Sequence, residues 1–351
     1  MAGAAASTHA EAAHAAMQAL AAEPGEPAGT AIDGLVAGIL AIAASQPSAL
    51  LGAATILLGG TGEGQLVVDG RARQPGVGAQ RPRGFVAGTA IPLAARVGAS
   101  TLPAALVLAH AGRGERTLTS LSRIGIASAA TVGHVDPERA ESLRAFGRDG
   151  VRLLQAGPLR KALLAAATRS LGGALTEDDL DAARPEVITA STHELASRRW
   201  AIAPWCPLDR DDGTPRETIS IVAVADARGA LAIAALIVSA SSLPLPGTGL
   251  SVPLLAEPVL RGVTRKDPGS VIPLTAPIAI AALGREGNGD LALGLAGASE
   301  ATSFAALLRH VAEKPTPIED AIARPRGAIE GVVCGVFHDG KSARVVKDRR
   351  A

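Results

Sequence analysis

Thr218 stands at the mouth of a β-branched, nearly continuously apolar run, Thr218–Ala225. A hydroxyl at the head of a buried strand is a candidate nucleophile. Other reactive side chains are sparse. His9 and His14 are five apart and share a helical face poorly, so a metal pair is not expected there. Cys206 and Cys334 belong to no CxxC unit, which argues against zinc and for a reducing compartment. Gly59-Gly60-Thr61-Gly62-Glu63-Gly64 is glycine-dense, but a strand follows and no Lys-Ser/Thr pair does. It reads as a hairpin turn, not a phosphate loop. There is no Gly-x-Ser-x-Gly elbow, and a Ser-His-Asp triad stays open at this level. No cofactor is expected.

The elements around Thr218 set its context. The turn Asp226-Ala227-Arg228-Gly229 leads into a second apolar strand, Ala230–Val238, and then a loop closed by Pro246-Gly247-Thr248-Gly249. Strands apolar on both faces must be covered on both sides. Upstream, Ala4–Ala21 reads as a helix, and Thr30 is placed to cap a second, Ala31–Ala44, apolar nearly all round and therefore buried. Ala54–Leu58 and Gln65–Val68 form a hairpin, and Asp69-Gly70-Arg71 turns into a loop reaching Arg83. Phe85–Val97, Pro103–Ala111, Pro137–Phe146 and Val151–Leu171 read as helical. Thr176-Glu177-Asp178-Asp179 opens a short helix that Pro185 ends. Glu186–Thr214 reads as a connector. Beyond the Thr218 hairpin, strands are predicted over Ser270–Leu283 and Leu291–Leu295 and a helix over Ser299–Ala312. Thr316-Pro317-Ile318-Glu319 is a further helix start. Val332–Phe337 and Ala343–Val346 close the chain as a hairpin.

The 351 residues suffice for one large domain. With 34 basic and 33 acidic residues scattered along the chain, neither nucleic acid nor an anionic membrane is an expected partner. There is no Tyr, and Phe and Trp are few, so the core must rest on small aliphatic packing. The longest apolar run, Leu35–Ala44, is too short to span a bilayer, and no signal-peptide pattern opens the chain. A cytoplasmic protein is expected.

Several segments, in order, resemble the gamma-glutamyltranspeptidase family. Ser7-Thr8-His9 with Ala31-Ile32-Asp33 is similar to its opening helices. Gly52–Leu58 stands where a Gly-rich run enters a strand, and Asp69-Gly70-Arg71 matches its Asp-Gly-Arg-Glu segment. Arg83–Gly88 resembles its Pro-Gly-Phe-Val-Ala-Gly element, and Leu175–Leu180 its Leu-Thr-x-Glu-Asp-Leu element. Asp226–Leu231 and Pro246–Gly249 fall at its small-subunit hairpin and Pro-Gly-Thr-Gly loop. Leu293–Ser299 resembles its Ser-Pro-Gly-Gly-Ser turn, and Asp320–Arg326 its Glu-Ala-x-x-Ala-Pro-Arg element.

The resemblance implies a four-layer αββα fold of the N-terminal-nucleophile hydrolase type. A large-subunit-like region (1–185), a shortened connector (186–217) and a small-subunit-like region (218–351) would form one structural domain. Members cut themselves before a Thr, whose freed amine then serves as general base while its hydroxyl attacks a gamma-glutamyl amide. Thr218 takes that place only with a one-residue shift. Counting back from Asp226 without a gap puts Ile219 there, with Ser220 and Ile221 where the family has Thr and His. Ser191-Thr192-His193 echoes Thr-Thr-His, but within the connector. The resemblance further implies Gly297 and Ala298 as the oxyanion turn, Arg71 as the grip on a substrate α-carboxylate and Glu257 as the group meeting its amine. Pro273-Leu274 replaces a Ser-Ser pair that holds the carboxylate. These replacements imply a catalytically degenerate homologue with a binding or assembly role, acting with itself or a paralogue. The alternative is an active gamma-glutamyl hydrolase or transferase, self-cleaved near Thr218, that takes a gamma-glutamyl small molecule.

Overall fold

The computed structural model describes residues 3–22, 27–62, 64–80, 84–195, 198–206, 219–238, 241–274, 276–282, 290–296, 301–313 and 331–347. The first half begins with β1 (Ala4–Ser7), α1 (Ala10–Leu20), α2 (Ala31–Ser45), β2 (Ala54–Gly60) and β3 (Leu66–Gly70). Six helices follow: α3 (Leu102–His110), α4 (Leu118–Ala130), α5 (Pro137–Asp149), α6 (Arg152–Gln155), α7 (Pro158–Ala166) and α8 (Glu177–Ala182). Then come β4 (Glu186–Thr189), β5 (Ser191–Leu195), β6 (Arg198–Ile202), β7 (Ile219–Ala225) and β8 (Ala230–Ile237). The rest is β9 (Ser242–Leu245), β10 (Leu250–Pro253), β11 (Ile278–Ala282), β12 (Leu291–Ala296), α9 (Ala301–Glu313), β13 (Val332–His338) and β14 (Ala343–Lys347).

The described strands make two six-stranded antiparallel sheets, β1-β7-β8-β2-β3-β4 and β14-β13-β12-β11-β6-β5, and a β9–β10 ribbon. Side-chain alternation stacks them into layers. From β7, Val222 and Val224 join a core with α1, α2 and α4, whereas Ile221, Ala223 and Ala225 face the second sheet at Ile278, Ile280, Cys334 and Val336. On the far side of that sheet, Trp200, Ile202 and Leu293 pack under Phe304, Leu307 and Val311 of α9. The order helix, sheet, sheet, helix is the αββα fold expected from the sequence. Small residues let the sheets close: a Cβ at Gly294 would stand 2.8 Å from Ile221 Cγ2.

Five sequence readings need correction. Of the strand predicted over Ser270–Leu283, the described residues form only β11, Ile278–Ala282, and an isolated bridge at Val271. Ala4–Ser7 is not helix but edge strand β1, paired in register with Val222–Ala225. Alanine's helix propensity yields there to a backbone ladder covered on both faces. Phe85–Val97 holds only a bridge, Phe85 to Leu260, and a 3-10 turn, Leu93–Arg96. Val151–Leu171 is broken into α6, α7 and a 3-10 turn, because Gly157 (φ 99°) and Pro158 restart the chain. The connector is not irregular: β4 completes the first sheet, and β5 and β6 complete the second. The capped helix starts at Thr30 and Thr176 stand as expected, each with a reciprocal capping box.

Candidate functional site

The β7–β8 hairpin passes between the helical layer and the second sheet, and the sequence places the chemistry at its open end. That end begins at Ile219, paired with Ile237 of β8. By strand alternation Ile219 shares the face of Ile221, and its side chain packs against the inter-sheet core. An aliphatic side chain thus fills the place that the ungapped count assigns to a nucleophile. Next to it, Ile237, Ala53, Ala72 and Leu274 form a small buried cluster backed by Leu255 and Ile272. Leu274, which the resemblance sets where a hydroxyl is expected, is 4% exposed and fills apolar space.

Ser220 points to the opposite face, with Val222 and Val224. Its Oγ lies 2.8 Å from His9 Nε2, and His9 Nδ1 lies 3.6 Å from Glu11 Oε1, which accepts from Ser45 Oγ at 2.7 Å. His9 thus stands between a hydroxyl, at hydrogen-bond distance, and a carboxyl group just beyond it. This has the order of a serine, base and acid relay. Ser220, however, is 1% exposed and sits behind the sheet, out of reach of a substrate. Ser7 Oγ donates to the Ile221 carbonyl at 2.7 Å, and Thr8 Oγ1 accepts from Ile221 N–H at 3.1 Å. Ser7, Thr8 and His9 therefore pin β1 and the start of α1 to the head of β7. The sequence showed Ser7-Thr8-His9 only as a helix opening, since a contact more than 200 residues away leaves no local pattern.

Arg71 lies at the same end, just past β3. Its Nε and Nη2 donate to the two oxygens of Asp69 at 2.9 Å each, and Arg71 N–H donates to Asp69 Oδ1 at 2.9 Å. Its guanidinium lies 3.5 Å from the centroid of the Trp205 ring, a cation–π stack. Trp205 Nε1 in turn donates to Thr55 Oγ1 at 3.3 Å. The side chains of Arg71 and Asp69 are 13% and 5% exposed. A bidentate carboxylate is the ligand a guanidinium fork selects, and here the chain supplies its own. Asp69 two residues before Arg71 was the readable signal. Trp205, in a stretch without periodicity, gave none.

Glu257 stands apart from this cluster. Its backbone is bracketed by the buried Gln74 carboxamide, which donates to Glu257 O at 2.6 Å and accepts from its N–H at 3.2 Å. Its side chain is exposed, 3.9 Å from Lys266, and lines a separate cleft with Phe85 and Arg169. Thr218, Gly297 and Ala298 lie outside the described residues, as do the helix start at Thr316 and the segment 320–326. His193 is exposed on β5, where it pairs with Trp200 across the strands, so Ser191-Thr192-His193 belongs to the outer edge of the second sheet. Among the described residues no group of three or more His, Cys, Asp and Glu could hold a metal ion. Among the same residues no helix is long and apolar enough to cross a membrane.

The closed end of the hairpin carries buried polar groups. Asp226 Oδ1 accepts from Arg228 and Ala230 N–H at 2.9 and 3.0 Å, Gly229 turns the chain at φ 88°, and Asp226 Oδ2 accepts from Ala31 N–H at the start of α2. Beneath it Asp33, fully buried, accepts from the N–H groups of Thr30 and Glu115 at 2.9 and 3.0 Å. His110 Nε2 lies 3.2 Å from Asp33 Oδ1 and 2.9 Å from the Arg116 carbonyl, so this nitrogen carries a proton. Burial pushes the Asp33 carboxyl up, but the hydrogen bonds from His110, Thr30 and Glu115 outweigh it and hold the group below the usual range.

No family model and no curated protein matches the sequence. Solved structures do. A structure of LmbA2991 superposes over 98% of this chain and 96% of its own at TM-score 0.75 and 15% identity. The cephalosporin acylase from Bacillus halodurans does so over 99% and 94%, also at TM-score 0.75 and 15% identity. The gamma-glutamyltranspeptidase from Pseudomonas nitroreducens overlaps in part, over 56% of this chain and 69% of its own, at TM-score 0.45 and 18% identity. At such identities the first two are likenesses of fold, and that fold is the N-terminal-nucleophile hydrolase sandwich.

Proposed function

We propose that this chain, built on the N-terminal-nucleophile hydrolase fold, is a catalytically degenerate relative of gamma-glutamyltranspeptidases with a binding or assembly role. One observation carries the reading: strand β7 opens on Ile219, whose side chain packs against the inter-sheet core beside its partner Ile237. Amide attack needs a hydroxyl or thiol at that place with a base within hydrogen-bond reach. Two further features support it. Leu274 and Ile237 fill the adjoining space with methyl groups, and Asp69 and Trp205 already engage Arg71. A substrate carboxylate would have to displace a buried internal one.

Intact-mass analysis with a gamma-glutamyl anilide assay tests this. The expected result is a single uncut chain of 35.1 kDa without turnover above the blank. An acylated cephalosporin serves as the second substrate, given the acylase of the same fold. Two chains split before Thr218, with turnover lost in Thr218→Ala, would overturn the proposal and establish the active hydrolase or transferase instead.

A further inference from the structure

We infer that the face formed by residues 84–96, 169–173 and 256–266 is a docking surface for an acidic polypeptide segment with apolar anchors. The inference does not depend on whether the chain is cut before Thr218. Large apolar side chains are rarely left in water as a contiguous group on a protein without a partner. Among the described residues, eight large hydrophobic side chains are exposed, and four of them, Val86, Leu93, Leu171 and Val263, belong to this face.

The segments are held together by direct contacts. Phe85 N–H donates to the Val259 carbonyl at 2.8 Å, and Arg261 N–H to the Phe85 carbonyl at 2.9 Å. Gly172 packs so closely that a Cβ there would meet Pro92 Cγ at 3.0 Å and Phe85 Cζ at 3.5 Å. The Gln74 carboxamide fixes Glu257 from beneath by two hydrogen bonds. Between the segments lies a cleft of about 290 Å³ with Phe85, Ala95 and Val259 in its lining and Arg169 and Glu257 as its charges. Side chains on a framework tied down in this way are preorganised for a ligand.

Charge selects the occupant. Within these segments Arg96, Arg169, Arg261 and Lys266 are exposed and Arg265 is half-buried, while Glu257 is their one carboxylate, with Asp267 next along the chain. The chain as a whole is nearly balanced, at 34 basic to 33 acidic residues. A second copy of the chain, meeting this face across a two-fold axis, would set five cations against five. An acidic segment carrying leucine-like side chains answers both the charge and the apolar groups.

Fluorescence anisotropy with a short fluorescein-labelled peptide of alternating Glu and Leu tests the proposal, with a Lys and Leu peptide of equal apolar content as control. The expected result is saturable binding of the Glu and Leu peptide alone, weakened by added salt. The variant Leu93→Asp with Val263→Asp should weaken it about tenfold or more, as loss of apolar anchors does. Both positions are exposed, so the thermal midpoint should hold. If it does not, Arg261→Glu alone should weaken binding at an unchanged midpoint. Absent binding, equal binding of the Lys and Leu peptide, indifference to these variants, or a dimer that Leu93→Asp dissociates would each overturn the proposal.

Discussion

The two ends of the β7–β8 hairpin are built from the same strands and treat water in opposite ways. At the closed end, Asp226 and the wholly buried Asp33 are each surrounded by donors, with His110 and the start of α2 in the network. At the open end, where the sequence resemblance would place the chemistry, Ile219, Ile237, Ala53 and Leu274 stand together, and the cations Arg71 and Arg73 share Asp69. Buried charge in this chain serves architecture at one end and is internally paired at the other. Buried groups with perturbed protonation often mark catalysis, yet the strongly hydrogen-bonded Asp33 caps and clamps helices. The contrast teaches that polarity alone does not locate a site. What counts is whether a polar group is left for a ligand.

Three experiments can break or sharpen that contrast. The largest effect is expected from Asp33→Ala, which leaves the Thr30 and Glu115 N–H groups without their acceptor and His110 with only the Arg116 carbonyl. A loss of about 3–5 kcal/mol in urea unfolding is expected, as for other broken buried charge clusters. Since the Asp33 carboxyl is held below its ordinary value, its contribution is complete above about pH 4 and lost as the pH falls through the folded-state value. The acid limb of the stability profile should therefore flatten in the variant. An unchanged acid limb would refute the role given to Asp33.

At the open end, Leu274→Ala should cost about 2–4 kcal/mol through the cavity it leaves. A cost near zero would mean that this space is not packed and that a ligand could enter it. The smallest effect, of opposite sign, is expected at Asp290. Burial raises its carboxyl above the ordinary value, the opposing pull of Arg198 being weaker. Such a group disfavours the folded state as pH rises through the unfolded value. Asp290→Asn should leave stability at neutral pH unchanged or raise it by a few tenths to about 1 kcal/mol. A clear loss would show that Arg198, at 3.5 Å, matters more than burial.

Local patterns carried much of the fold. The β7–β8 hairpin, the Thr30 and Thr176 caps, the Ala54–Gly70 hairpin and α9 could be read because their signals, turn residues, capping pairs and apolar period, lie within a few residues of one another. β1 and the strands β4 to β6 could not. Alanine and short polar alternations are compatible with several conformations, and only a partner strand far along the chain decides among them.

The site divides in the same way. Sequence by itself determined that an isoleucine falls on the ungapped count at the head of β7, that position 274 carries a leucine without a hydroxyl, and that Arg71 follows Asp69 by two residues. Only the tertiary structure decided that Ile219 and Ile237 lie side by side and that Trp205 covers Arg71. It also decided that Ser220, though bonded to a histidine, lies behind the sheet. The physical reason is range. Residue type fixes what a group can do, but burial and pairing arise between segments distant in sequence, and these decide whether the group remains available to do it.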